Sequence, residues 1–180
     1  MVLGSDRRCA RGNIGMRYLI VVEGISDKGV VQGIAHRLGI RIEVLVMRGN
    51  NPSKASRIVK AKLVVKSYDK IIVLKDLHRY SEHTLRNLLN EILSKIDHPH
   101  KYAIIVRKAI EAWILAGMGV INAETIDDPA MYLDQIMKRR AKNYVKSLTL
   151  AKILAESIDL NKAMSNASSL RQFIEALQDP

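Results

Sequence analysis

Four acidic residues lie where apolar runs of this chain end. The segment VVEGISD, residues 21–27, leads straight into Glu23 and then Asp27. The segment LKDLHRY, residues 74–80, brings Asp76 and, two positions on, His78. The segment RKAIEAW, residues 107–113, sets Glu111 among apolar residues after another such run. An acid joined to a buried strand is destabilising unless something positive compensates it. Asp27 has an equally good local account, since an acid in the first turn of a helix satisfies free amides and complements the dipole. Glu23 has none, and Glu111 stands where an acid without a role is expected on the polar face.

Clustered carboxylate oxygens are the hard donors that Mg2+ prefers, while the imidazole of His78 shifts the balance toward Mn2+ or another transition metal. Residues two apart on an extended segment point the same way, so Asp76 and His78 are expected to face one ion. Arg107 and Lys108 bring cations to the same strand ends. A local reversal of sign in a basic chain suits metal ions held against phosphates.

The elements that must position these residues alternate regularly. Strands are expected at 17–22, 42–47, 70–74 and 102–106, with helices at about 26–38, 52–68 and 81–95 between them. Gly24 is expected to permit a tight strand-to-helix turn, with Ser26 as the helix cap. Continuous rather than alternating apolar strands imply a mainly parallel four-stranded sheet with helices on both faces. In such sheets ligands bind beyond the carboxyl ends of the strands, where the acids fall. Beyond residue 109 the pattern is purely helical, at 109–118, 129–140, 144–157 and 167–177, with Asp127-Asp128-Pro129 as a good start signal. The organisation read from this is a flexible Gly- and Arg-rich arm at 1–15, or residues ahead of a start at Met16, then an α/β core at 16–118. A C-terminal helical extension at 119–180 is expected to pack on that core.

The 180 residues carry 29 Lys+Arg against 18 Asp+Glu, a formal charge of +11. That balance favours a polyanionic partner, above all nucleic acid, with a lysine-rich solvated surface as the plainer account. Lys138, Arg139, Arg140, Lys142 and Lys146 cluster within ten residues, either as phosphate contacts or as a solvated helix end. The cations from Lys54 to Lys66 spread around a helix whose Ile58, Leu63 and Val64 are expected to face inward. Aromatics are only 4% of the chain, which leaves few platforms for base stacking. Trp113 is expected in the core. The lone Cys9 excludes an intramolecular disulfide framework and fits a reducing cytosol. No apolar run reaches membrane-spanning length, so a soluble cytoplasmic protein is expected. P-loop, GxGxxG and nucleophile-elbow patterns are absent.

VVEGISD, followed after a further β-α unit by the acid ending IIVLKD, resembles the Toprim domain of topoisomerases, primases and OLD-family nucleases over residues 17–115. RGNNPSK after the second strand and KAIEAWILA after the fourth look like the OLD-type version. The Tyr144-Val145-Lys146 element and the closing SSLRQFIEAL helix also look like a small stand-alone group of Toprim-like proteins. The resemblance implies a Toprim-like, Rossmann-like fold and a site in which Glu23 is a metal ligand or general acid/base. It further implies that Asp27 and Asp76 hold Mg2+, that Glu111 serves a second metal, and that Lys54 or Lys146 neutralises charge on a scissile phosphate. The chain departs from the family pattern in having Asp76-Leu77-His78 where Asp-x-Asp is usual, which removes one anionic donor. A nuclease acting on DNA or RNA is the leading expectation. The alternative is a nucleic-acid- or partner-binding module with an attenuated metal site.

Overall fold

The structure, a computed structural model, describes residues 15–47, 49 and 51–179. The expected N-terminal arm therefore lies, apart from Gly15, outside the described residues. The four apolar runs form β1 (Tyr18–Val22), β2 (Ile42–Val46), β3 (Lys70–Asp76) and β4 (Lys101–Val106). Between them stand α1 (Ile25–Arg37), α2 (Pro52–Val65) and α3 (Glu82–Ser94). After β4 come α4 (Glu111–Gly117), α5 (Pro129–Lys138), α6 (Leu148–Ser157), α7 (Leu160–Asn166) and α8 (Ser168–Gln178).

The strands pair in the order β2-β1-β3-β4, every pair parallel. Each strand is followed by a helix that returns the chain to the same end, so all four strands point one way and their carboxyl ends share one edge. This is a Toprim-like, Rossmann-like α/β architecture. Strand alternation divides the core in two. Tyr18, Ile20 and Val22 of β1 with Ile72 and Leu74 of β3 pack against α1, α4 and the C-terminal helices. Leu19, Val21, Ile71 and Val73 face the other way, onto α2 and α3. Trp113 is fully buried in the first layer, stacked on Phe173 at 5.4 Å and donating its indole N–H to the Ser169 hydroxyl at 2.8 Å. A buried indole needs such an acceptor, and α8 supplies it.

At the opposite, amino-terminal edge two lysines serve the fold. Lys70 is buried and donates to the carbonyls of Ala176 and Asp179 at the end of α8, at 2.8 and 2.6 Å. Lys101 likewise reaches the carbonyls of Leu93 and Ile96 at the end of α3. Cations there meet the unsatisfied carbonyls and the negative end of the helix dipole.

Several local expectations change. α1 is capped at Gly24, not Ser26, and Gly24 sits at φ −126°, an extended conformation that does not require glycine. Asp27, three residues into the helix, takes the Gly24 N–H instead. α2 ends at Val65, and Val64, expected inside, is 88% exposed, because Ala55, Ser56 and Val59 form the inner face. The helix expected at 144–157 begins only at Leu148, where Ser147 supplies the cap. The unforeseen α7 starts at a strong cap, Asp159, which accepts two backbone N–H groups.

Candidate functional site

β1 and β3 are the central pair of the sheet, with Val21 beside Val73. Carried two residues further, the same register sets Glu23 beside Lys75, and the Lys75 ammonium donates to Glu23 Oε2 at 3.0 Å. Lys75 is 1% exposed. Its charge inside the sheet is the compensation that an acid at the end of β1 requires.

The other three acids are carried by β3, α1 and α4. Asp76 is the last residue of β3, buried, and accepts the Ile110 N–H at 3.2 Å. Asp27 is buried in the first turn of α1, where its two oxygens accept the Gly24 N–H at 2.8 Å and the Ser26 hydroxyl at 3.2 Å. Glu111 opens α4 at 1% exposure and accepts the Tyr144 hydroxyl at 3.0 Å, with the Lys146 ammonium at 3.3 Å. Asp27 therefore fulfils its local helix-start account, and Asp76 also ties down the approach to α4.

These acids feel one another. Burial pushes the Asp76 carboxyl well above its ordinary range, and the charges of Asp27, Glu111 and Glu23 push it further. Burial also raises Asp27, with Glu111 and Glu23 adding to it against the Gly24 N–H. Burial works against the charge of Lys146, but Glu111, Asp27 and Asp76 outweigh it and hold the ammonium above the usual lysine range. Burial and the neighbouring Glu111 carry the Tyr144 phenol upward. Four carboxylates thus face two ammonium groups, Lys75 and Lys146, and the imbalance falls on Asp27 and Asp76.

His78 reaches this group by a route other than the one expected. β3 ends at Asp76, and His78 adopts φ +43°, so the pair does not share an extended segment. Its Nε2 nevertheless stands 3.8 Å from Asp76 Oδ2. Beyond the strands, the Leu77 and His78 N–H groups donate to the carbonyls of Val106 and Lys108, each at 2.8 Å, and Lys108 is itself left-handed at φ +64°. Non-glycine residues in that region are strained, and such strain concentrates at working sites.

Among the described residues no three His, Cys, Asp or Glu side chains stand together as a ready-made ion site. Glu23 turns to Lys75, and Glu111 to Tyr144 and Lys146. The remaining candidates are exposed cations on other segments. Lys54 is exposed in the first turn of α2, which follows β2. Arg107 is exposed directly after β4, beside Arg86 in a small polar cleft. Lys138 pairs with Asp134 at 2.6 Å, and Arg139, Arg140 and Lys142 are exposed on the loop after α5, around left-handed Ala141 at φ +55°. Two participants escaped the sequence reading. Lys75 was hidden in an apolar run, though its register with Glu23 follows once β1 and β3 pair. The Tyr144 hydroxyl had no signal beyond its place in the Tyr-x-Lys element.

The chain thus has a Toprim-like, Rossmann-like α/β fold with acids along the carboxyl edge of its sheet. No protein-family model and no curated protein matches the sequence. Among solved structures, the C-terminal region of the OLD protein of Xanthomonas campestris pv. campestris has a TM-score of 0.51 to this chain. The match covers 91% of this chain and 93% of that one at 18% identity, a likeness of fold to a distant OLD-related architecture. Among the described residues no helix is long and apolar enough to cross a membrane.

Proposed function

We propose that this protein performs divalent-metal-dependent phosphodiester chemistry on nucleic acid, acting as a nuclease. The observation that carries the reading is the unbalanced acid group at the carboxyl edge, where Asp76 and Asp27 are buried beside Glu23 and Glu111 and both are pushed up. With all four acids ionised, the excess of two negative charges over Lys75 and Lys146 equals the charge of one divalent cation, and Asp27 and Asp76 are the pair such an ion would relieve. Glu23, Asp27, Asp76 and Glu111 would hold it, with His78 beside them and Mg2+ or Mn2+ the matching ions. When bound, the ion supplies a polarised phosphate and a more acidic water. Lys146, above Glu111, offers an ammonium to charge developing on the phosphate. Glu23, steadied by Lys75 and a quarter exposed, is the carboxylate best placed to accept or return a proton. Lys54, Arg107 and the 138–142 loop supply cations for the flanking phosphates.

A second reading, a binding module with an attenuated metal site, is favoured by one feature: an imidazole stands at position 78 in place of an acid. Thermal melts with Mg2+ and Mn2+, followed by cleavage assays on plasmid DNA and RNA, test both. Wild-type protein should be stabilised and should cleave with at least one ion, and Glu23→Gln should abolish cleavage. His78→Asp should increase activity with Mg2+. Absence of any shift with either metal, and of cleavage by both wild type and His78→Asp, sinks the nuclease reading.

A further inference from the structure

α1 and α6 run parallel and share the most extensive helix–helix contact among the described residues. The contact is made by small residues. Gly29 and Gly33 of α1, one turn apart, oppose Ala151 and Ala155 of α6. A Cβ on residue 29 would stand 2.9 Å from the Ala151 Cβ and closer still to the Leu148 carbonyl oxygen. A Cβ on residue 33 would stand 2.8 Å from the Ala155 Cβ and 2.6 Å from the Lys152 carbonyl oxygen. Carbon atoms in comfortable contact sit about 3.5–4.0 Å apart. The two backbones therefore lie at a separation that only glycine at 29 and 33 permits.

Because the helices are parallel and in step, both start at the carboxyl edge of the sheet. α1 begins just after Glu23 and places Asp27 in its first turn. α6 begins at Leu148, with the Ser147 hydroxyl accepting the Leu150 N–H at 3.2 Å. Lys146 is the residue before that cap, and Tyr144 lies two residues earlier. The irregular strap 142–147 is pinned at its other end by Asp134, whose carboxylate accepts the Tyr144 N–H at 2.9 Å. Between these two anchors the strap lays the Tyr144 hydroxyl and the Lys146 ammonium on Glu111 Oε1.

We infer that Gly29 and Gly33 are positioning residues: their seam with Ala151 and Ala155 sets the depth of α6, and through it holds Lys146 and Tyr144 over Glu111. Side chains at the seam would drive the start of α6, with Lys146, outward by on the order of 1 Å. The inference rests on the proposed role of Lys146, but its structural half stands apart from activity. Gly117 supplies the control. A Cβ there would meet the Ile158 side chain, 2.5 Å from its Cβ, at the far end of α6. Gly117→Ala therefore strains the same helix away from the strap.

The experiment compares Gly29→Ala, Gly33→Ala and Gly117→Ala by crystal structure and by steady-state cleavage of a nucleic-acid substrate with Mn2+. Gly29→Ala should open the 3.3 Å Lys146–Glu111 ion pair and lower kcat by about tenfold or more, with KM unchanged within about twofold. Gly33→Ala, a turn farther from the strap, should do the same to a smaller degree, and it carries the test if Gly29→Ala does not fold. Gly117→Ala should lower the melting temperature while leaving the ion pair and kcat in place. The inference is overturned if the folded Gly29 or Gly33 variant keeps the ion pair closed, or if Gly117→Ala lowers kcat as much as they do. If the wild type itself cleaves nothing, the nuclease reading falls, and the ion-pair distance alone decides the seam.

Discussion

At Asp76, stability and the proposed chemistry oppose each other. Its carboxyl is buried at the end of β3 beside three other acids, which raises its pKa in the folded state. A raised carboxyl binds more protons folded than unfolded, so stability falls as pH rises from about 3.9, the ordinary carboxyl value, through the folded value. Asp76→Asn keeps an oxygen for the Ile110 N–H and removes the charge. Calorimetry in chelator should show the variant melting higher than wild type at pH 7, by about 2–4 °C for each kcal/mol relieved, with the difference vanishing below about pH 4. Added Mn2+ should then stabilise wild type but not the variant. Equal melting at pH 7 would show that the wild-type carboxylate is not strained. The same logic made Glu23 conspicuous as an acid on a strand with no local partner, whereas Lys75 gave no such signal from within its apolar run.

At the level of elements, the outer edge of the sheet shows how charge secures a strand to its helix. Glu43 on edge strand β2 accepts from Lys62 at 2.6 Å, Tyr68 at 2.6 Å and Lys66 at 3.0 Å. Lys62, then Tyr68 and Lys66, pull the Glu43 carboxyl down to about 2, while burial and Glu43 push the Tyr68 phenol up to about 12. A depressed carboxyl stabilises the fold above its unfolded pKa of about 4.3, and the contribution is lost as pH falls toward its folded value. The lysines are over 40% exposed, so solvent screening holds the effect to about 1 kcal/mol. Glu43→Gln should therefore unfold at lower urea concentration than wild type at pH 7 and at nearly the same concentration at pH 2. A deficit at pH 7 that persists at pH 2 would assign Glu43 a packing role instead. Element identities were legible from periodicity, and several ends were not. Val64 continues an apolar helical pattern in the sequence, yet in the last turn of α2 it is left exposed.

For the whole molecule, the charge of +11 is not spread uniformly in purpose. Lys70 and Lys101 cap helix ends, Lys75 and Lys146 serve the acids, and Lys62 and Lys66 hold Glu43. The loop carrying Arg139, Arg140 and Lys142 has exposed cations a short distance along the chain from Lys146. If it contacts phosphates, the logarithm of DNA affinity should fall with the logarithm of salt, by about 0.9 per contact. Replacing all three with Gln should lower that slope by about 2 to 3 in fluorescence-anisotropy titrations. An unchanged slope would make the loop a solvated surface.

The sequence by itself determined the α/β alternation, the parallel sheet and the edge on which the acids fall, because strand burial and short-range periodicity are written locally. It also marked Glu23 and Glu111 as acids without a local purpose. Only the tertiary structure decided that Lys75 stands beside Glu23, since that depends on the register of two strands about 50 residues apart in the chain. It alone decided that Tyr144 and Lys146 descend on Glu111. That placement requires α6 to seat against Gly29 and Gly33, a contact between distant segments that no local pattern encodes.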